Sequence, residues 1–279
     1  MIAAVVVTHA APPGMLERSL AAIRQGDLGG SGVDRLVVVD NGPERVDPGD
    51  ADIVVRTANH GYGAAANTGF AAALAGGADL VALLNDDTLV EPGWSAALAA
   101  ALDAPDVGAA QPALVDLDGA CVTSLGVRLD RFGAGSDIGR GTPVAALPTD
   151  PEPLDIFTGG AVVFTRDFLA ATGGFDERFF MYYEDVDLAL RGAGLGWRYV
   201  LVPQARVRHA GGATTGGQPS RTRFLQERNR LWIARRHGGP SAVRAAASLS
   251  VRRLRHRPVA VHARALAAGL GSREIVGPP

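Results

Sequence analysis

The 279-residue chain has one cysteine, Cys121, and no lysine. A single thiol excludes an intramolecular disulfide and a cysteine-built zinc site, and it fits a reducing cytoplasm. All 27 basic residues are arginine, which with the abundant alanine reads as compositional bias, not chemistry. Long apolar runs are also missing. No stretch reaches the roughly 18 residues that a membrane-spanning helix needs. The start, MIAAVVVTHA, has neither the basic flank nor the apolar run of a signal peptide. The rest is ordinary for a globular protein: 47% hydrophobic and 20% charged, in a chain long enough for one large α/β domain with an appendage.

The net charge of −2 conceals an asymmetry. Residues 220–279 carry 13 arginines against Glu227 and Glu274, a balance of +11, which leaves −13 for residues 1–219. A basic tail on an acidic body points to an anionic partner for the tail. An anionic membrane surface is one candidate, because residues 241–257 mix Val243, Leu249, Val251 and Leu254 with five arginines. Pairing with the acidic body is a second. Nucleic acid comes last and is not expected, since the tail lacks interleaved aromatics beyond Phe224 and Trp232.

Residues 2–8 (IAAVVVT), 35–40 (RLVVVD), 52–56 and 80–84 (LVALL) are short apolar runs of the kind buried in parallel sheets, and 107–115 reads as another strand. Residues 15–25 carry Leu16, Leu20 and Ile23 at helical spacing. Residues 63–75 and 91–102 also read as helices, with Pro92 in a first turn. The alternation predicts a doubly wound, mostly parallel sheet with right-handed crossovers. Residues 116–153 predict loops with a hairpin. Residues 154–165 (LDIFTGGAVVFT) read as a strand in which Gly159-Gly160 marks a bulge or a close ligand approach. A short helix over 167–172 and closing strands over 197–203 and 205–209 follow. The tail, 220–270, reads as helical with breaks at Gly238-Gly239-Pro240 and Pro258.

Three strands end in polar residues: Thr8-His9, Asp40-Asn41 and Asn85-Asp86-Asp87. All three ends should line one edge, where open α/β sheets bind ligands. Asn85, Asp86 and Asp87 close the run LVALLNDDT and offer a hard divalent cation, Mg²⁺ or Mn²⁺, an oxygen-rich site. The plain alternative is a turn in which one aspartate caps the next helix. Glu184 and Asp185 follow the aromatics Phe179, Phe180, Tyr182 and Tyr183 and start a helix. A carboxylate there is either a general base with a raised pKa or a helix cap. His209, ending RVRH, is either a metal ligand completing the Asp87 site or a structural histidine. The Arg228-Asn229-Arg230 triplet either holds a phosphate or lies on a solvated helix face, with the solvated face favoured. Trp94 and Trp197 read as core or rim residues.

A rival class comes from NHGYGAAANTG at 59–69. It contains G-x-G-x-x-A at Gly61, Gly63 and Ala66, between a strand and a helix, with Asp86 about 20 residues on. That spacing suits a nicotinamide-dependent oxidoreductase. Against it, the turn follows the third strand, not the first, and the acid sits in a cluster.

Taken in order, VVVTHA, VVVDNG, NHGYGAAANTG, LLNDDT, FTGGAVVFTR, GGFDERFFMYYEDVDLALR and VRHAGG resemble the family 2 glycosyltransferases, especially rhamnosyltransferase-like members, over about residues 2–236. The resemblance implies a GT-A domain over 1–215, an Arg-rich helical extension over 216–279, and inverting transfer from a nucleotide-diphospho-sugar to a glycan or lipid-linked acceptor. dTDP-rhamnose is the first choice of donor and a UDP-sugar the second. It implies that Thr8 and Asp40 contact base and ribose, that Asn67 lies near the sugar diphosphate, and that Asp87 binds the metal with Asn85 or Asp86 nearby. Asp185 would be the base, and His209 would approach the metal or diphosphate. His9 stands where relatives carry an aromatic, and Asp86 where they often carry proline. A GT-A-like binding module without turnover is the competing non-enzyme reading, opposed by the intact pair Asp87 and Asp185. The implied place is the cytoplasm, at the inner face of a membrane if the tail binds lipid.

Overall fold

The computed structural model describes residues 1–25, 32–211, 219–255 and 258–272. Gly212 of the VRHAGG motif, the expected division at 215/216 and Arg257 of the 241–257 segment lie outside the described residues.

The first half follows the expected alternation: β1 (Ile2–Thr8), α1 (Met15–Gln25), β2 (Arg35–Asp40), β3 (Ile53–Arg56), α2 (Tyr62–Ala75), β4 (Leu80–Asn85), β5 (Thr88–Val90), α3 (Trp94–Ala101) and β6 (Val107–Val115). Then come β7 (Val122–Ser124), the hairpin strands β8 (Val127–Leu129) and β9 (Gly135–Asp137), β10 (Glu152–Leu154), β11 (Ala161–Thr165), α4 (Arg166–Thr172), α5 (Glu184–Gly194) and β12 (Arg198–His209). Three helices close the chain: α6 (Pro219–His237), α7 (Gly239–Arg253) and α8 (Val259–Gly271).

The main sheet has the order β10-β12-β6-β11-β4-β1-β2-β3. β1, β2, β3 and β4 are mutually parallel. β11 runs against both β4 and β6, and β12 runs parallel to β6. Successive side chains alternate across this sheet. Val5, Val37, Val39 and Leu83 pack with α2, α4 and α5, whereas Val6, Leu36, Val38 and Leu84 pack with α1 and α3. Covering both faces is why these strands are uniformly apolar. It also leaves their polar carboxyl-end residues as the place where chemistry can collect.

Several boundaries differ from the sequence reading. Residues 88–90 form a strand because they pair antiparallel with 207–209. The following helix therefore starts late, at Trp94, behind Gly93 at φ 81°, and Pro92 precedes it. Gly159-Gly160 is not a bulge within one strand; it is the turn between β10 and β11. The two closing strands are one long strand whose register slips between Val202 and Arg206. The Arg228-Asn229-Arg230 triplet is not a solvated face: Asn229 and Arg230 are buried. Leu225, Trp232 and Ile233 on the same helix are buried too, so this face of α6 packs inward. Trp94 is core, and Trp197 is packed at its rim.

Part of the tail's charge is answered by the body. Arg236 pairs with Asp176 and Asp187, each at 2.8 Å, and His237 meets Asp187 at 2.9 Å. Burial opposes ionisation of Asp187, yet His237, Arg191 and Arg236 hold its pKa down at about 2.

Candidate active site

A cavity of about 690 Å³ opens at the carboxyl ends of β1, β2 and β4, a size in the usual range for a small-molecule site. One end is lined by His9, Asn41, Asn59, Asn85, Asp86 and Asp87. The Gly159-Gly160 turn, the 180–186 segment, His209, the β8-β9 hairpin and α6 supply the rest of its lining.

Strand pairing brings distant residues together here. β5 begins directly after Asp87 and pairs with the end of β12, setting His209 opposite Thr88. His209 Nε2 thereby lies 3.1 Å from Asp87 Oδ1 and 3.4 Å from Asn85 Nδ2. The Tyr62 hydroxyl lies 2.9 Å from Asn85 Oδ1 and 2.6 Å from the Gly159 carbonyl oxygen, either of which can accept its proton. The Gly159 N–H donates to Asp185 Oδ2 at 2.9 Å, and the Val186 N–H donates to Oδ1 at 2.8 Å. One continuous set of contacts thus runs from Asp185 through Gly159, Tyr62, Asn85 and His209 to Asp87.

The acids differ in environment. Burial raises the Asp86 pKa; the Thr8 hydroxyl acts against it and the Asp87 charge adds to it. Glu184 is pushed up to about 8 by burial and then by the charge of Asp185. Burial also raises Asp185, against the two N–H donors that favour its ionised form. Glu184 Oε2 is buried without a partner. Of the two, Asp185 is the one whose ionised form the site favours, because its oxygens accept two N–H donors while Glu184 Oε2 has none.

Asp185 is not the cap of α5. The N-cap is Tyr183, at φ 69° and without a side-chain cap bond. Phe180 and Tyr182, both at φ 68°, complete a segment of left-handed backbone just before the acids.

Of the residues singled out in the sequence, Asn85, Asp86, Asp87, Asp185 and His209 face the cavity together. Thr8, Asp40 and Asn67 are not among its lining residues. Asp40 accepts from Gly42 N at 2.9 Å and from Val46 N at 3.3 Å and pairs with Arg56. Asn67 bonds both backbone groups of Phe175, at 2.9 Å each, and so braces the turn before the acids. Asn41, at the second polar strand end, does line the cavity, whereas Tyr62 escaped the sequence reading. Tyr62 had a signal, a lone hydroxyl-bearing aromatic between two glycines.

Among the described residues, no group of three or more His, Cys, Asp or Glu side chains forms a metal cage. Asp87 and His209 nevertheless suit a cation bound in part by substrate phosphate and water, the usual arrangement for Mg²⁺. Their 3.1 Å separation matches two neighbouring octahedral ligands about 2.1 Å from one ion.

The G-x-G-x-x-A turn serves a different purpose from dinucleotide binding. A Cβ on Gly61 (φ 104°) would lie 2.1 Å from the Phe180 carbonyl oxygen, and Tyr62 N donates to that oxygen at 2.7 Å. The glycine makes room for the 180–183 segment, not for a pyrophosphate. The nicotinamide-dependent oxidoreductase reading falls with it.

The fold is shared with known sugar-transferring enzymes. The structure matches GalNAc-T7, solved with UDP, GalNAc and Mn²⁺, at a TM-score of 0.67 and 14% identity, over 96% of this chain and 53% of that one. It matches the mannosyltransferase PcManGT of Pyrobaculum calidifontis, solved with GDP-Man and Mn²⁺, at 0.55 and 20% identity, over 98% and 76%. The chain thus has the fold of these enzymes, the GT-A fold. The family described as "Glycosyltransferase like family 2" matches residues 3–234, and the chain belongs to that family. It is 34% identical over 203 residues to the N-acetylglucosaminyl-diphospho-decaprenol L-rhamnosyltransferase of Mycobacterium tuberculosis, covering 65% of this chain and 66% of that protein. It is 32% identical over 171 residues to the O-antigen biosynthesis protein RfbC of Myxococcus xanthus, covering 57% of this chain and 13% of that protein.

Proposed function

We propose that this glycosyltransferase moves a sugar, rhamnose first, from a nucleotide-diphospho-sugar to a hydroxyl of a glycan or lipid-linked acceptor, with inversion at the anomeric carbon. The observation that carries this reading is that Asp185 and the Asp87–His209 pair face one cavity and are joined through Gly159, Tyr62 and Asn85. The similarity to a rhamnosyltransferase supports the sugar, with dTDP-rhamnose first and a UDP-sugar second. The Mn²⁺ in the structural neighbours supports a divalent cation.

In this reading His9, Asn41 and Asn59 border the nucleotide at the strand ends. Asp87 and His209 would hold a Mg²⁺ or Mn²⁺ ion, which when bound would supply positive charge to the departing diphosphate. Asp185 accepts the proton of the acceptor hydroxyl as its oxygen attacks the anomeric carbon. Burial makes this carboxylate more basic than an exposed one, and the two backbone N–H donors fix its orientation. Tyr62 and Asn85 position Gly159 and His209. Attack opposite the leaving group in a single displacement inverts the centre, so no protein nucleophile is required. The Arg-rich tail rests on an anionic membrane surface beside the acceptor.

The test is a screen of nucleotide sugars for metal-dependent nucleoside diphosphate release, with and without acceptors, and NMR assignment of the product anomer. Release from no nucleotide sugar in the presence of metal and acceptor would refute the reading, and a retained anomer would refute inversion.

A further inference from the structure

The β8-β9 hairpin brings to the cavity a carboxylate that the scheme above does not use. Asp137, the last residue of β9, lines the same cavity as Asp185. Its place is fixed by the frame around it. β9 pairs with β8, with Asp137 opposite Val127. The turn between them is closed by Asp130, whose Oδ1 accepts from the N–H groups of Phe132 and Ala134 at 2.8 Å each. Tyr183 ties β9 to the segment that carries the acids. Its hydroxyl accepts from Gly135 N–H at 3.1 Å and donates to the Gly133 carbonyl oxygen at 3.2 Å. The residue that precedes Glu184 and Asp185 thus also anchors the hairpin, so the hairpin and the acids share one support.

The Asp137 carboxylate is only partly engaged. Arg140 donates to Oδ2 from Nε at 3.2 Å and from Nη2 at 2.6 Å, and among the described residues no donor meets Oδ1. The Arg140 side chain is 66% exposed, and an exposed ion pair of this kind contributes little. Burial is the main cause of the raised Asp185 pKa, and the Asp137 charge adds to it, so each carboxylate lies within the other's field. Two like charges facing one cavity favour a neutral occupant that donates hydrogen bonds to both. A sugar is such an occupant, because each hydroxyl can donate to a carboxylate oxygen.

We propose that Asp137 is a specificity-determining residue for the acceptor: its free Oδ1 accepts from a second hydroxyl of the acceptor sugar while the attacking hydroxyl donates to Asp185. This rests on the transferase reading above and adds a condition to it. The acceptor presents a neutral sugar with two free hydroxyls toward the acids. An analogue without the second hydroxyl leaves Oδ1 unpaired, and one with an anionic group there meets two carboxylates, so both are used poorly.

The experiment compares full-length wild type with Asp137→Ala and with Arg140→Gln, which removes the ion pair and keeps the carboxylate. The probes are octyl glycosides of N-acetylglucosamine, galactose and mannose, and the monodeoxy analogues of whichever binds wild type best. Calorimetry without donor measures binding, and steady-state kinetics with dTDP-rhamnose or a UDP-sugar measures transfer. Asp137→Ala should lower kcat/KM for the parent sugar by about 10–100-fold, the worth of a hydrogen bond to a charged group, with donor KM unchanged. On one analogue that still accepts sugar, the one lacking the second hydroxyl, wild type and Asp137→Ala should perform alike. Arg140→Gln should follow wild type throughout. Binding of the parent sugar that weakens in Asp137→Ala, with no transfer to it by wild type from any nucleotide sugar, would sink the transferase reading and leave this contact standing. A wild type that binds none of the three sugars would overturn the inference. So would an Asp137→Ala loss of equal size on every analogue, no loss at all, a loss in donor KM, or an equal loss in Arg140→Gln.

Discussion

The side-chain amide of Asn229 donates to the carbonyl oxygen of Tyr182 at 2.7 Å. It also lies 2.9 Å from the Met181 carbonyl oxygen and 3.1 Å from that of Phe179. These carbonyls belong to the segment in which Phe180, Tyr182 and Tyr183 all have positive φ, a conformation that costs of order 1–3 kcal/mol per residue outside glycine. Asn229 and the space left by Gly61 hold that segment from two sides, and it delivers Glu184 and Asp185 to the cavity. Asn229→Ala should therefore destabilise the protein by about 1–3 kcal/mol, the cost of leaving buried carbonyls unpaired. It should also lower kcat per folded molecule more than it raises donor KM. Urea unfolding alongside steady-state kinetics checks both. An unchanged kcat would mean that the segment keeps its shape without the amide.

How much of this was legible beforehand depends on distance along the chain. The strand ends at Thr8, Asp40 and Asn85 could be read because a parallel strand buried on both faces is a continuous apolar run that stops where the ligand edge begins. From the residues alone the approach of His209 to Asp87 was one of two alternatives, since it depends on the β5–β12 register, and the motif resemblance favoured it. The inward face of α6 was misread because three charged or polar residues in a row look solvated. The helical spacing of Leu225, Asn229, Trp232 and Ile233 was the contrary signal. Asn67 was placed at the diphosphate by resemblance, whereas its amide is used up on Phe175.

Glu184 gives stability a pH signature. Its pKa rises from 4.5 to about 8 on folding, through burial and then the Asp185 charge. The folded state thus binds a proton more tightly than the unfolded chain. Its contribution is complete below 4.5 and is lost as pH rises toward 8. Glu184→Gln cannot ionise, so it should gain stability relative to wild type as pH rises from about 5 to about 9. Urea midpoints at those two pH values measure this. A wild-type-to-variant difference that does not change with pH would mean that Glu184 ionises normally.

Asp185→Asn should reduce turnover by roughly 10²–10⁴-fold, the usual worth of general-base catalysis, with donor affinity retained. The amide cannot take the acceptor's proton. Asp87→Ala should abolish turnover without loss of fold, because its carboxylate meets His209 at a strand end and supports no core packing. His209→Ala should weaken the dependence on metal less severely. Activity at wild-type level in excess chelator would remove the cation from the scheme, and an Asp185→Asn variant with wild-type kcat would return Asp185 to a structural role.

The last prediction concerns the outer face of the tail. Arg244, Arg252, Arg255 and Arg264 are exposed on α7, the residues after it and α8, beside Val251 at 53% and Val259 at 47% exposure. Among the described residues no helix is long and apolar enough to cross a membrane. Exposed arginines mixed with exposed aliphatic residues instead suit the surface of an anionic bilayer, at about 1 kcal/mol per basic residue. Full-length protein should sediment with anionic but not neutral vesicles and should leave them in high salt. Removing everything after Gly239 would be a poor control, because Ala246 and Ser250 satisfy the buried Arg230. The informative changes are Arg→Gln at the four exposed positions, each costing about 1 kcal/mol, or roughly a fivefold weakening. The folded core, and the pairs of Arg236 with Asp176 and Asp187, stay intact in these variants. Equal recovery in the supernatant with both vesicle types would exclude the membrane as the partner of these arginines.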